Sequence, residues 1–321
     1  MFSASLVRAE NRPRPSPSPT VASPAPPAPP PDERRLAIHF GQATVGDSNI
    51  DHDFEARPDV GVVLAAGLSW RNRVARPTVE LAYEAAFHRY HESPKWNRTS
   101  HHALGVFEVP LGRRLRLHTT ADASLRGTSE DRETADQYAL VPRLELRLAR
   151  PVAVRLDGAA RLKRYPAPDR DRDALNTYGS AELRLRAGPA RIELGSRYET
   201  NDARSDRYDF VRWTHDVALS VGLGRRDNLG LEMRYRDQHY PRRLVNTPGG
   251  RAARHDVRWI PTVSWEHRFE GPLALGVDYK YERRNSNDPD KAFRAHLVSL
   301  SFTYRWVAAP SRRLRSRAAP R

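Results

Sequence analysis

Val298-Ser299-Leu300-Ser301-Phe302-Thr303-Tyr304-Arg305-Trp306 alternates along its whole length. Val298, Leu300, Phe302, Tyr304 and Trp306 are apolar, and Ser299, Ser301, Thr303 and Arg305 are polar. Side chains of a strand point to opposite faces in turn, so a period of two gives one apolar and one wet face. The apolar face ends in two aromatics, as an aromatic girdle at a membrane interface would.

The same alternation recurs upstream. Val211, Trp213, Val217, Leu219, Val221 and Leu223 oppose Arg212, Thr214, Asp216, Ser220 and Gly222, with His215 the polar intruder on the apolar side. Strands are expected at about 36–44, 59–73, 77–91, 99–111, 113–127, 136–149, 151–165, 174–187, 189–200, 207–224, 228–240, 253–269, 272–284 and 294–306. Pro142 and Pro261 fall inside two of them and predict a bulge or a local break, since proline cannot donate to the ladder. Connections at Val74-Ala75-Arg76, Leu111-Gly112-Arg113, Arg150-Pro151, Gly188-Pro189, Arg225-Arg226-Asp227 and Glu270-Gly271-Pro272 are short. Those at 46–58, 92–98, 128–135, 166–173, 201–206, 241–252 and 285–293 are long and polar. Short turns at one end, long loops at the other and an even strand number fit an all-β, antiparallel up-and-down transmembrane β-barrel of about 14 strands. A soluble β-sandwich with one solvated face also alternates, but it has no reason to sort its loops by length. The strand from Leu36 to Thr44 must then pair with the closing strand, or the barrel stays open.

Composition narrows the choice. The 321 residues are 39% hydrophobic with a mean hydropathy of −0.73. No run approaches the ~20 consecutive apolar residues of a membrane helix. No cysteine is present, which excludes disulfides, cysteine–metal sites and thiol chemistry. The net charge of +15 is almost all arginine. Basic residues are spread through every strand among Asp and Glu, not gathered into the patch a nucleic-acid partner requires. Three segments follow: a Pro/Ala/Ser-rich disordered linker over 1–35, the barrel over 36–306 and a basic disordered tail over 307–321. Met1 to Arg8 is too short to hold the apolar core of about 7–15 residues that a secretory signal carries.

Ser299 to Trp306 resembles the C-terminal assembly signal of Gram-negative outer-membrane proteins, which runs polar, any, glycine, two of any, aromatic, any, aromatic. Ser299, Tyr304 and Trp306 match. Ser301 stands where glycine is usual, and Val307 to Arg321 follow the last aromatic. The resemblance implies residence in the outer membrane, with lipid and the barrel assembly machinery as partners. Fourteen strands are similar to porin-type channels, and also to the barrels of surface lipoprotein assembly modifiers and polysaccharide exporters. A channel for small, anionic solutes is the first expectation. An export or surface-assembly conduit, with a periplasmic partner reached through the Pro-rich segment, is the second. A barrel-embedded enzyme is the third, but no local motif such as Gly-x-Ser-x-Gly appears.

The wet face supplies the candidate site. Lumen-lining positions are expected at Arg143, Glu145, Arg147, Arg155, Asp157, Arg161, Arg184, Arg197, Arg212, Asp216, Arg234, Arg236, Arg258, Lys280 and Arg305. A tight hairpin at Arg150-Pro151 sets Arg143 opposite Asp157 and Glu145 opposite Arg155, and one about Arg225 sets Asp216 opposite Arg234. Opposite charges across a ladder contribute about 0.2–1 kcal/mol each. Rings of arginine favour anions. His88, His91, His101 and His102 could meet at one rim, but they show no metal-ligand spacing. Asp47, Asp51 and Asp53, and Asp169, Asp171 and Asp173, lack the pattern of a calcium loop. Neither cofactor nor metal is expected.

Overall fold

A computed structural model describes residues 34–52, 55–72, 77–128 and 134–308. The Pro-rich linker up to residue 33, the turn at Val74-Ala75-Arg76, Asp53, most of the 128–135 connection and the tail from residue 309 lie outside them. Fourteen strands run in order: β1 (Arg34–Asp47), β2 (Asp59–Asn72), β3 (Thr78–Tyr90), β4 (Arg98–Pro110), β5 (Leu115–Thr128), β6 (Thr134–Arg147) and β7 (Val152–Arg164). They continue as β8 (Ala174–Ala187), β9 (Ala190–Ala203), β10 (Phe210–Leu223), β11 (Asp227–Thr247), β12 (Gly250–Arg268), β13 (Leu273–Ser286) and β14 (Phe293–Val307). Each pairs antiparallel with its sequence neighbours, and β1 pairs β14, so the barrel is closed.

The seam joins the first and last strands over Ala37↔Val307 to Asp47↔Leu297. Alternation then sorts the faces. Val298 is 50% exposed and Leu300 42%, whereas Ser299 between them is fully buried. The outward apolar residues include Phe40, Leu64, Phe87, Leu140, Leu156, Trp213, Val217, Trp259, Val263 and Phe302. An exposed apolar belt this extensive on a closed barrel is a lipid-facing surface. His215 lies on it, stacked between Trp213 and Tyr235.

Both strand prolines break their ladders locally without changing register. Between β6 and β7 the pairs run Leu140↔Ala160 and then Arg143↔Asp157, passing over Pro142. Between β12 and β13 they run Trp259↔Arg283 and then Thr262↔Lys280, passing over Pro261. The bulges fall elsewhere, between Ser124 and Gly127 and between Tyr240 and Leu244.

One connection departs from expectation. Residues 241–252 are not a long loop but the tip of a β-ribbon, in which Pro241 causes a register shift and pairing resumes at Leu244↔Ala253. Pro248-Gly249 then forms the turn, with Gly250 at φ +110°. The ribbon is tied sideways by Arg242 to Asp206 at 2.5 Å and by Arg243 to Asp288 at 3.9 Å. A charge at the outward midplane should be costly: Leu300→Arg is expected to destabilise the barrel by about 2–4 kcal/mol. Urea titration of the protein folded in lipid bilayers measures it, and an unchanged midpoint would mean that Leu300 does not face lipid.

Candidate functional site

The inner wall is built by the residues that alternate with the lipid belt. Toward the short-turn end its charges pair across the ladders. Arg143 donates from Nε to Asp157 at 2.5 Å, Arg155 to Glu145 at 2.9 Å, and Arg234 to Asp216 at 2.6 Å. These are the three cross-strand pairs expected from the hairpins. Arg155 also reaches Glu182 at 3.3 Å, and Arg184 reaches Glu193 at 2.8 Å. Arg147 and Arg305 sit at the rim of this end, both exposed. Arg147 lies 3.7 Å from Glu145, and the Arg305 backbone N–H bonds the Pro272 carbonyl.

Toward the loop end the balance changes. Lys163, Arg212, Arg236, Arg254, Arg258 and Arg284 are all buried there, near three buried carboxylates, Glu199 on β9, Asp256 on β12 and Glu282 on β13. Arg212 approaches Glu199 at 3.8 Å, Arg258 approaches Glu282 at 3.4 Å and Lys280 approaches Glu282 at 2.9 Å. Asp256 takes both Arg254, at 2.8 Å, and Arg284. Register places cations side by side: Arg197 and Arg236 both flank Thr214, Arg236 is directly opposite Arg258, and Arg258 is opposite Arg284. Like charges directly opposite in a ladder oppose folding. Arg161 and Arg197 stand half-buried beside Tyr178, their cations 5.8 and 4.5 Å from its ring centre.

The opposite sector, on β14 and β1 to β3, is different. Ala43, Val45, Val63, Ala65, Ala86, Tyr90 and Leu297 make an apolar cluster inside the barrel, and Ile50 from the β1–β2 connection packs into it. Asn49 to His52 therefore fold inward over the mouth. Asn49 donates from Nδ2 to the Arg294 carbonyl at 3.3 Å. The His52 ring lies 4.5 Å from that of Phe293, with Nδ1 3.9 Å from Glu282. Asp51 anchors this turn through Lys95 Nζ at 2.6 Å and Trp96 Nε1 at 2.9 Å. Burial pushes the Asp51 carboxyl up, but the bonds from Lys95 and Trp96 and the charges of Lys95 and Arg57 outweigh it, so its pKa falls below the ordinary 3.8. This inward turn was not legible as a plug, although Asp51 and Ile50 supplied its anchors.

The four rim histidines do not converge. His88 is buried inside with Nε2 3.1 Å from Ser100 Oγ, and His102 points inward to Asp122 at 2.6 Å. His101 points outward to Tyr83 at 2.8 Å, and His91 is exposed. Among the described residues no group of three or more His, Asp and Glu could hold a metal ion. In the closing strand Tyr304 and Trp306 face outward, while Ser299 and Ser301 face inward, with the Ser301 hydroxyl donating to the Gly276 carbonyl at 3.4 Å.

No family model and no curated protein sequence matches the chain. Solved structures do. The outer membrane channel DcaP of Acinetobacter baumannii superposes with a TM-score of 0.54 at 12% identity, over 85% of this chain and 96% of that one. A loop-deletion mutant of OmpT, an outer membrane protein of Vibrio cholerae, gives 0.51 at 12% identity, over 86% and 100%. The chain has the fold of a Gram-negative outer-membrane β-barrel. In outer-membrane barrels of this fold the short turns lie at the periplasmic end and the long connections at the extracellular one.

Two outcomes follow from these contacts. Asp51, with its lowered pKa, stabilises the inward turn fully above its unfolded value and loses that contribution as pH falls below 3.8. Hydrogen-exchange protection of the Ile50 amide, bonded to the Arg57 carbonyl at 2.9 Å, should fall progressively as the pH is lowered through and below 3.8, with no such step in Asp51→Asn. Asp157→Asn removes the negative charge facing Arg143 and one of its two acceptor oxygens, and should cost about 1–3 kcal/mol in urea titration.

Proposed function

We propose that the protein is a porin-like outer-membrane channel that passes small solutes and favours anions. The carrying observation is the arginine row at the extracellular half, Arg197, Arg236, Arg258 and Arg284 in one register across β9 to β13. Asp256 bonds Arg284 and Glu282 approaches Arg258, and the arginines that outnumber these carboxylates along the row make the wall positive there, which favours anions. The paired charges toward the periplasm hold the wall's shape, and the row sets its sign. The fifteen lumen-lining positions take these two roles, with Arg147 and Arg305 marking the periplasmic entrance.

The reading is of a conduit and not of an enzyme. His39 pairs with Glu84 at 2.8 Å and His102 with Asp122 at 2.6 Å as parts of the charged wall. Insertion engages lipid and the barrel assembly machinery, with Ser299, Ser301, Tyr304 and Trp306 read as the signal. Residues 1–35 serve as a linker toward a periplasmic partner, and 307–321 as a basic tail.

Planar-bilayer recording under a salt gradient tests the proposal. The reversal potential should show anion preference, and Arg236→Gln with Arg258→Gln should reduce the anion-to-cation permeability ratio about twofold or more. Cation preference, or absence of conductance from protein shown to be folded, would overturn it.

A further inference from the structure

We infer that Arg283 on β13 and Arg294 on β14 form a docking site on the outer wall for a phosphate group of the phosphorylated glycolipid in the outer leaflet. The site lies on the lipid-facing side and does not rest on the channel reading. It uses the orientation of outer-membrane barrels, whose long connections are extracellular.

The two arginines stand directly opposite each other in the β13–β14 ladder. Both are exposed, and alternation puts them on the same side as Tyr279 and Val298, which face lipid. Like charges directly opposite oppose folding, whereas an anion bridging them is attracted by both. Among the described residues neither arginine forms an ion pair with a carboxylate. Glu282 of the same hairpin faces the lumen beside Arg258 and Lys280, and Asp288 approaches Arg243 on the ribbon. Asp237, outward on β11, is taken by His255 at 2.7 Å. Arg283 donates from Nε to the neutral Asn285 Oδ1 at 3.1 Å, which orients the guanidinium without neutralising it.

The outward face of this hairpin is graded along its length. From the long-loop end toward the middle of the wall its pairs run Arg283↔Arg294, Tyr281↔His296, Tyr279↔Val298 and Val277↔Leu300. Cations come first, then hydrogen-bonding rings, then aliphatic side chains. Tyr279 Oη lies 2.9 Å from His296 Nδ1, and the Tyr281 ring 5.0 Å from that of His296. A phosphorylated lipid has the same order, from phosphate through a polar linkage to acyl chains. Trp259 is opposite Arg283 on β12, and the Tyr235 ring lies 4.7 Å from that of Trp259. The arginines therefore stand at the level of the aromatic girdle, where headgroups begin. Guanidinium groups suit phosphate because each offers a planar fork of two N–H donors to its oxygens.

Gel filtration of the full chain folded in detergent provides the test, after mixing with bisphosphorylated lipid A or with the same glycolipid stripped of its phosphates. The phosphorylated form should be retained at least about ten times more per barrel. Arg283→Gln with Arg294→Gln should lower that retention about tenfold and leave the stripped form unaffected. Arg283→Lys with Arg294→Lys should keep part of it, since the charges remain and the forks are lost. Arg164→Gln, a single exposed arginine on β7, should change nothing. Equal retention of the two glycolipids, undiminished retention in the double Gln variant, or an equal loss in Arg164→Gln would overturn the site.

Discussion

A backbone in hydrocarbon cannot turn to water for its hydrogen bonds, and every other feature of this chain follows from that constraint. An open sheet edge would leave a row of N–H and C=O groups unmet, each costing several kcal/mol. Closure removes both edges together, and it depends on one long-range pairing. The seam between β1 and β14 joins residues 250 to 270 positions apart in sequence, from Asp47↔Leu297 to Ala37↔Val307. The other ladders are hairpins between sequence neighbours. The seam is therefore the contact with the greatest loop entropy to overcome, and the one without which the hairpins remain an open sheet.

Once closed, the barrel assigns opposite tasks to alternate residues. The outward set is apolar and needs little else. The inward set is mixed, apolar in one sector and charged in another. Two solutions coexist. On β14 and β1 to β3 the wall is apolar because Ile50 returns to cover it, and Asp51 holds that return by its bonds to Lys95 and Trp96. On β6 to β13 charges line the wall instead, paired toward the short-turn end and predominantly positive toward the long-loop end.

What could be read from sequence divides along the same line. Strand number, order and face came from a period of two that lipid enforces on every strand, and Arg143↔Asp157 and Asp216↔Arg234 followed because a tight hairpin fixes register. Residues 241–252 were misjudged because Pro241 reads as a terminator, whereas a ladder can shift register past a proline and resume. The inward turn of Asn49 to His52 escaped for a different reason. Its cluster draws Ile50 from a loop and Val45, Val63, Ala86 and Leu297 from four strands, a proximity no local pattern carries. Of the arginine row, Arg197, Arg236 and Arg258 were visible only as members of a list and Arg284 not at all, since the four become neighbours through register and not through spacing.

Register also accounts for Ser301, which departs from the C-terminal motif that the closing strand resembles. Ser301 occupies its glycine position, and the residue directly opposite on β13 is Gly276. A Cβ on Gly276 would come within 2.6 Å of the Ser301 hydroxyl, so the pair has room for one side chain. Gly67 behaves alike: it lies opposite His39, and a Cβ there would meet the imidazole at 2.3 Å, so its bareness lets His39 cross β2 to Glu84 on β3. In both places the limit acts on a position in the wall shared by adjoining strands. A motif written along one strand sees half of that limit, and a serine at its glycine position is compatible with the fold as long as the glycine stands across the ladder.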